Sequence, residues 1–121
     1  MKICAAQIKS QIGNIQENIT KHKKLIDLAI SQSAELIFFP ELSLMGYEPK
    51  LAKELAISTY DKFNEFQDIS DKNNIFIGVG IPIKRDENIY IGMIILAPTS
   101  LYRFIISSAC ILMNSLIFQK D

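Results

Sequence analysis

The sequence predicts an α/β domain in which helices cover the strands of one sheet. Short apolar runs, typical of buried strands, occur at residues 3–8, 35–39, 75–83 and 89–97. A segment with helical periodicity separates the first two runs, an order that favours a sheet with parallel strands. The length of 121 residues and the hydrophobic content of 49% fit one globular domain, with no second domain.

The first three elements form a βαβ unit. Asn14, followed three residues later by Glu17, makes a capping box that begins a helix over residues 15–33. The strand at 35–39 ends at Pro40, because proline cannot donate to a sheet ladder. We expect the two strands to be parallel and joined by a right-handed crossover. The buried face of the helix recurs at spacings of four and three residues, at Ile15, Ile19, His22, Ile26, Ala29 and Ser33.

Two further helical stretches and two strands follow. Pro49 can open a helix that contains Leu51, Leu55 and Ala56. The second stretch carries Tyr60, Phe63, Phe66 and Ile69 at helical spacing, and residues 71–74 form a polar break after it. Residues 84–88 then read as a hairpin turn between the strands at 75–83 and 89–97.

The charges argue against nucleic acid and membrane partners. Lysine plus arginine (13) equals aspartate plus glutamate (13), so no net positive field exists to hold phosphates. Residues 1–87 carry 23 of these 26 charges, and residues 104–118 carry none. That uncharged stretch of fifteen residues is shorter than the roughly 20 that span a bilayer.

No motif predicts a metal or a cofactor. Cys4 and Cys110 lie far apart, and His22 is the only histidine, so we expect a reduced, cytoplasmic, metal-free protein without a secretory leader. Gly78-Val79-Gly80 runs into a proline instead of a helix, which favours a close-packed strand over a dinucleotide loop. The basic cluster at residues 21–24 is interpreted as a solvated helix face around a half-buried His22.

Glu41 is the candidate catalytic residue. It follows a buried strand directly, at the carboxyl edge of the sheet, where open α/β sheets place their ligand sites. Phe39, Leu42 and Leu44 flank it, and partial loss of water would raise its pKa toward the range of a general base. The alternative, on position alone, is a solvated glutamate in a strand-to-helix turn.

The surrounding pattern resembles the N-terminal half of the nitrilase superfamily, the carbon–nitrogen hydrolases. The resemblance covers residues 1–98. It rests on the ordered set AAQ at 5–7, GNI at 13–15 with Asn18, AELIFFPEL at 34–42, GY at 46–47, IGVGIP at 77–82 and IY at 89–90.

The resemblance implies an αββα sandwich and a Glu–Lys–Cys triad that hydrolyses small-molecule amides, nitriles or carbamoyl compounds. The glutamate takes the proton of the cysteine thiol, the thiolate attacks the carbon of the C–N bond, and the lysine stabilises the oxyanion. Glu41 matches the position of the base. The family also implies pairing of two copies in an intact protein.

The lysine and the cysteine of the triad have no match in this sequence. Cys110 lies among apolar residues without a charged neighbour, and Cys4 lies inside the first strand, so both are expected to be inert. Lys84 precedes the strand that the lysine should follow, and Lys120 lacks the motif. The sequence therefore predicts a truncated, inactive hydrolase whose partial domain covers residues 1–98.

Residues 99–121 are predicted to be an aberrant tail. Back-translation of residues 105–121 in a neighbouring frame permits YKQCLHPDEL, which is similar to the lysine-containing stretch of the family. We hypothesise a frame break between Pro98 and Phe104. Two alternatives stay open: a non-catalytic α/β binding module, which residues 104–118 would tether through their apolar character, and a separate polypeptide that supplies the missing half.

Overall fold

The computed structural model describes residues 1–40, 42–46, 63–85, 88–98 and 101–111, with only the backbone described for residues 83–85 and 101–111. Glu41 and the predicted helix around Leu51, Leu55 and Ala56 lie outside the described residues, and so does Lys120. The described elements, in chain order, are β1 (Ile3–Ala5), α1 (Ile15–Ser31), β2 (Leu36–Phe38), α2 (Phe63–Asn73), β3 (Phe76–Arg85), β4 (Asn88–Ala97) and β5 (Leu101–Ile111).

The strands form one sheet in the order β1-β2-β3-β4-β5. The strands β1, β2 and β3 are parallel, with Cys4 opposite Ile37 and Ile37 opposite Ile77. The pairs β3–β4 and β4–β5 are antiparallel. The predicted βαβ unit and the predicted hairpin are both present, and the sheet changes from parallel to antiparallel at β3.

One face of the sheet carries the core. Alternate side chains of β3 and β4 point to this face, and Ile77, Val79 and Ile94 on it have no exposed surface. The helices α1 and α2 both pack here, so in the described part of the chain two helices lie over one sheet. The core residues from the helices are Ile19, Ile26, Ala29, Phe63 and Phe66.

The opposite face of the sheet is apolar and partly open to solvent. Ile3, Phe38 and Phe76 occupy this face on neighbouring strands, and each exposes between 40% and 54% of its surface. Met93 and Ile95 continue the face on β4 and are half-buried. The structure thus holds one helix layer and one sheet layer, which is half of the αββα sandwich that the sequence predicts.

The strands β1 and β2 are shorter than predicted because β2 ends at Phe38, before the chain turns at Pro40. The last hydrogen bond between the two segments joins Ala6 N to Phe38 O (2.9 Å). Beyond it, β1 has no strand residues opposite it. The strands β3 and β4 are longer than predicted at the hairpin, since Arg85 pairs with Asn88. Only residues 86 and 87, outside the described part, connect them.

Both helices end on a residue with a left-handed backbone. Ser33 has φ of 60°, its N–H donates to Ile30 O (2.9 Å), and the N–H of Ala34 donates to Ala29 O (3.0 Å). These two bonds form a Schellman motif, so α1 ends two residues before the predicted limit of Ser33. In the same way Asn74, with φ of 52°, ends α2 after the predicted polar break has begun.

The left-handed Ser33 predicts opposite effects for two serine-to-glycine substitutions. Ser33→Gly should raise the free energy of unfolding by up to about 1 kcal/mol, because glycine adopts positive φ without a steric cost. Ser31→Gly, two residues earlier in helical backbone, should lower it by about 1 kcal/mol. Urea unfolding of the two variants checks this, and equal effects at both positions would contradict the assignment of the helix end.

Candidate functional site

The turn after β2 lies at the carboxyl ends of the parallel strands. Residues 42–46 form it, beginning at Leu42 with φ of 55° and ending at Gly46 with φ of 75°. Inside the turn, Gly46 N donates to Leu42 O (2.9 Å) and Ser43 N donates to Pro40 O (3.2 Å). Leu42 and Leu44 are buried, which anchors a turn that otherwise runs along the sheet edge.

The loop before α1 packs directly on this turn. Gly13 N donates to Met45 O (2.8 Å), and the hydroxyl of Ser10 donates to the carbonyl of Ser43. A Cβ on Gly46 would lie 3.1 Å from Cα of Ile12, a tight contact, and the φ of 75° further disfavours a larger residue. The loop and the turn therefore form one interlocked unit.

Asn18 connects this unit to the first turns of α1. It is fully buried, and its Oδ1 accepts from Gln11 N (2.7 Å). Its Nδ2 donates to Gln11 O (2.8 Å) and to Leu44 O (2.7 Å). One amide side chain thus satisfies backbone groups of both the loop and the turn.

His22 lies one helical turn further along and has no exposed surface. Its Nδ1 is 2.6 Å from Asn18 O, and its Nε2 is 2.9 Å from Oγ of Ser43. The ring stacks on Phe39 at 4.1 Å between centroids, and the ring of Phe66 is tilted against it at 6.0 Å. The side chain therefore bridges α1 and the turn inside an aromatic pocket.

The partners of His22 determine its tautomer. A backbone carbonyl can only accept, so Nδ1 carries the proton and donates to Asn18. The Nε2 atom of the neutral ring is then an acceptor, and Ser43 donates its hydroxyl proton to it. The same hydroxyl oxygen accepts from Gly80 N (3.2 Å) of β3. A continuous chain of hydrogen bonds thus runs from α1 through the turn to β3.

Burial keeps His22 neutral. Loss of water lowers the pKa of the imidazole from 6.5 to about 4, although the hydrogen bond to the Asn18 carbonyl acts in the opposite direction. The neutral form is also the one that can accept the Ser43 hydroxyl proton. The electrostatics and the hydrogen-bond geometry therefore agree.

A cleft of about 290 Å³ opens beside the turn at the carboxyl edge of the sheet. Pro40 and Leu42 both line it, and these are the two neighbours of Glu41 in the chain. The remaining lining residues come from the end of the β1 segment and from the turn, namely Ile8, Lys9, Ser10, Ser43 and Gly46. The cleft is in the place where parallel sheets bind their ligands.

The full burial and the hydrogen-bond partners of the polar residues at this site were not predicted from the sequence. His22 was expected to be half-buried within a solvated basic face, but it is fully buried, because Phe39, Phe66 and Ser43 enclose it. Asn18 was noted only as a motif residue. The signal that could have identified both is their spacing of four residues on the apolar face of α1, where a polar side chain requires a partner.

Cys4 is half-buried and packs against the core, in line with an inert thiol, while the side chain of Cys110 is not described. Among the side chains that the structure describes, no three His, Cys, Asp or Glu residues lie together as metal ligands would. In that same part of the chain, no helix is both long and apolar enough to cross a membrane.

Comparison with known proteins decides the family. The sequence profile described as Carbon-nitrogen hydrolase matches residues 2–107. The chain belongs to the carbon–nitrogen hydrolase family. A glutamine-dependent NAD(+) synthetase from Acinetobacter baylyi is 36% identical to this hydrolase chain over 75 residues, which cover 56% of the chain.

Solved structures share the fold of this carbon–nitrogen hydrolase chain. An amidase from Nesterenkonia sp. superposes with a TM-score of 0.77 at 20% identity, covering 89% of this chain and 43% of the amidase. A glutamine-dependent NAD(+) synthetase from Cytophaga hutchinsonii gives a TM-score of 0.70 at 16% identity, over 88% of this chain and 18% of the synthetase. The predicted nitrilase-like α/β fold is confirmed as a partial one.

The chain spans only part of these relatives. It covers 14% of the synthetase from Acinetobacter baylyi and less than half of the Nesterenkonia amidase. The match of the family profile extends past residue 98, where the sequence predicts the partial domain to end. It includes the first residues of β5.

Protonation of His22 predicts an acid-sensitive stability. The folded-state pKa of about 4 lies below the ordinary 6.5, so the unfolded chain binds the proton first as the pH falls. The contribution of His22 to the free energy of unfolding amounts to about 3 kcal/mol. It is complete above pH 6.5 and is lost as the pH falls from 6.5 to 4. Urea unfolding between pH 7 and pH 4 measures it.

The control for this prediction is His22→Gln, which keeps a polar side chain without a titrating group. Carboxylates also titrate near pH 4, but they contribute equally to both proteins. The difference in unfolding free energy between wild type and variant should therefore fall as the pH decreases. A difference that stays constant from pH 7 to pH 4 would show that His22 does not titrate on unfolding.

Proposed function

We propose that this chain carries the general base of a carbon–nitrogen hydrolase, with Glu41 in that role. The observation that supports the proposal best is the cleft whose wall includes Pro40 and Leu42, the residues on either side of Glu41. Lys9, Ser10 and Ser43 also line this cleft and supply polar groups to it.

The substrate that we propose is a small primary carboxamide. Two observations on related proteins support this class. The synthetase that is 36% identical over the matched residues is glutamine-dependent. The Nesterenkonia amidase, which shares the fold, has been solved in complex with butyramide. The cleft beside the Glu41 position is of a size for such a ligand.

In the proposed reaction, Glu41 accepts the proton of a cysteine thiol. The thiolate attacks the carbonyl carbon of the amide, the C–N bond breaks, and the nitrogen leaves as ammonia with the transferred proton. Water then attacks the thioester and releases the acid. A lysine stabilises the oxyanion at both steps. In a mutant of the Nesterenkonia amidase, the active-site cysteine carries the acetamide moiety of fluoroacetamide, so a cysteine acts as a nucleophile in a protein with the same fold.

We propose that the chain of 121 residues does not perform this reaction alone. The resemblance assigns the lysine and the cysteine to segments without a match in this sequence. Cys4 packs against the core from β1, and Lys84 lies in β3, before the strand that the lysine follows. The proposal includes a cytoplasmic, reducing compartment, which the two widely separated cysteines favour.

The tail at residues 99–121 is part of the same proposal. We place a frame break between Pro98 and Phe104, after the last strand of the recognised motifs. The family profile matches through residue 107, three residues past this interval. In the structure, residues 101–111 pair with β4 as β5.

The proposal predicts that the chain of 121 residues has no activity by itself. Purified protein should release no ammonia from butyramide or L-glutamine above the buffer rate, because the nucleophile is missing. Glu41→Gln should behave in the same way. Glu35→Gln, at an exposed position, is the control. The proposed inactivity is wrong if the wild type and Glu35→Gln release ammonia and Glu41→Gln does not.

The proposed frame break makes a prediction about the gene. Sequencing through the codons for Pro98 to Asp121 and beyond should reveal that a single-base shift restores the lysine motif and opens a longer reading frame. In the longer protein, Glu41→Gln should lower kcat/KM by about 10²-fold or more, since it removes the general base. Glu35→Gln should leave kcat/KM unchanged. The absence of any frame that restores the motif would end the frame-shift proposal.

A further inference from the structure

Ser43 and His22 form a pair of side chains that the proposed amide hydrolysis does not use. The hydroxyl of Ser43 donates to Nε2 of His22 (2.9 Å), and Nδ1 of the same ring lies 2.6 Å from the Asn18 carbonyl oxygen. A hydroxyl bonded to an imidazole that a third group orients is the arrangement of an activated serine nucleophile. Here a backbone carbonyl takes the place that a carboxylate holds in a Ser-His-Asp triad.

The backbone around Ser43 fits this arrangement in two respects. Ser43 directly follows Leu42, whose φ of 55° is uncommon for a residue other than glycine. Backbone strain of this kind concentrates at functional sites. The N–H of Gly80 donates to Oγ of Ser43 (3.2 Å), and a donor at this oxygen stabilises the negative charge that develops when the hydroxyl loses its proton.

The cleft at the carboxyl edge of the sheet is the route by which a substrate would reach this pair. Ser43 lines it, and so does Lys9, whose positive charge attracts the oxyanion of a tetrahedral intermediate. Ser43 exposes only 3% of its surface, which restricts the reaction to small acyl groups.

We propose that Ser43 is the nucleophile of a serine-based acyl-transfer centre, with His22 as its general base and a small activated ester as its substrate. Nε2 of neutral His22 takes the hydroxyl proton while Oγ forms a bond to the ester carbonyl carbon. The C–O bond of the ester then breaks, the leaving oxygen receives the proton from Nε2, and the acyl group stays on Ser43. Neither Glu41 nor a cysteine takes part, so this reaction goes beyond the proposed amide hydrolysis.

The surroundings of His22 limit the centre to substrates with good leaving groups. None of the described partners of the ring carries a charge that would stabilise an imidazolium. These partners, from α1, the turn, the end of the β2 segment and α2, are Asn18, Ser43, Phe39 and Phe66. Burial lowers the pKa of His22 to about 4, so the ring is a weak base. An aryl ester should therefore react slowly, and an amide, whose nitrogen leaves poorly, should not react.

The experiment treats the full chain of 121 residues with a small alkyl fluorophosphonate and locates the adduct by mass spectrometry. The serine oxygen displaces fluoride from phosphorus, and the hydroxyl proton leaves with the fluoride. The wild type should carry its adduct on Ser43, and Ser43→Ala should carry none. His22→Gln should lower the labelling rate about 10²-fold, since glutamine accepts the hydroxyl bond but does not take the proton. Thr20→Ala, which deletes an exposed hydroxyl on α1, should label like the wild type.

The pH profile of labelling is a second readout, which a purely structural histidine would not produce. Because His22 is neutral above its pKa of about 4, the labelling rate of the wild type should be level from about pH 5.5 to 8 and fall near pH 4. A serine without a base would instead react faster as the pH rises over the whole range, in proportion to its alkoxide.

An unlabelled Ser43 would overturn the proposal, and so would an adduct on Ser10 in its place. Equal labelling rates of the wild type and His22→Gln would also overturn it, because His22 would then not be the base. Should His22→Gln fail to fold, as judged by circular dichroism, the pH profile of the wild type decides the same point. A rate that rises throughout the profile would exclude His22 as the base.

Discussion

The hydrogen bond from the Ser43 hydroxyl to Nε2 of His22 is the contact on which the site depends. It joins the middle of α1 to the turn that closes the carboxyl edge of β2. Although β2 ends before Pro40, β3 holds the turn through the bonds of Gly80 to Ser43 and Leu44. Side chains from α1 and from the loop before it add three further bonds to the turn.

A buried polar cluster of this kind is stable only when its members are paired. Each polar atom taken from water without a partner costs of the order of 1–3 kcal/mol. Asn18 uses its oxygen and its nitrogen on three backbone atoms, and His22 uses both ring nitrogens. Within the part of the chain that the structure describes, Gln67 Oε1 is the buried side-chain atom without a partner, and it lies on α2, away from the turn. The site is thus the well-satisfied part of the polar interior.

The sequence predicts the layers of this fold well and its polar interior poorly. Apolar periodicity identified the buried face of α1, including Ile19, His22 and Ile26, because helical spacing needs only local information. The observed helix ends differ from the predicted ones, because a pattern of apolar residues does not reveal that Ser33 has a left-handed backbone. The roles of Asn18 and Ser43 depend on partners such as Gln11 and Gly80, which the fold brings close only after the chain has turned. Glu41 was identified by its position after a strand and by the family resemblance, and it stays a prediction.

The most direct measurement of this account is the tautomer of the single histidine. In ¹⁵N-labelled protein at pH 7, the account predicts a neutral ring with the proton on Nδ1, so that Nδ1 resonates as a protonated nitrogen and Nε2 as an unprotonated acceptor. The opposite tautomer, with the proton on Nε2, would contradict the account, because Asn18 O could then not be an acceptor for Nδ1. A charged imidazolium at pH 7 would contradict it equally, since burial among Phe39 and Phe66 would not permit it.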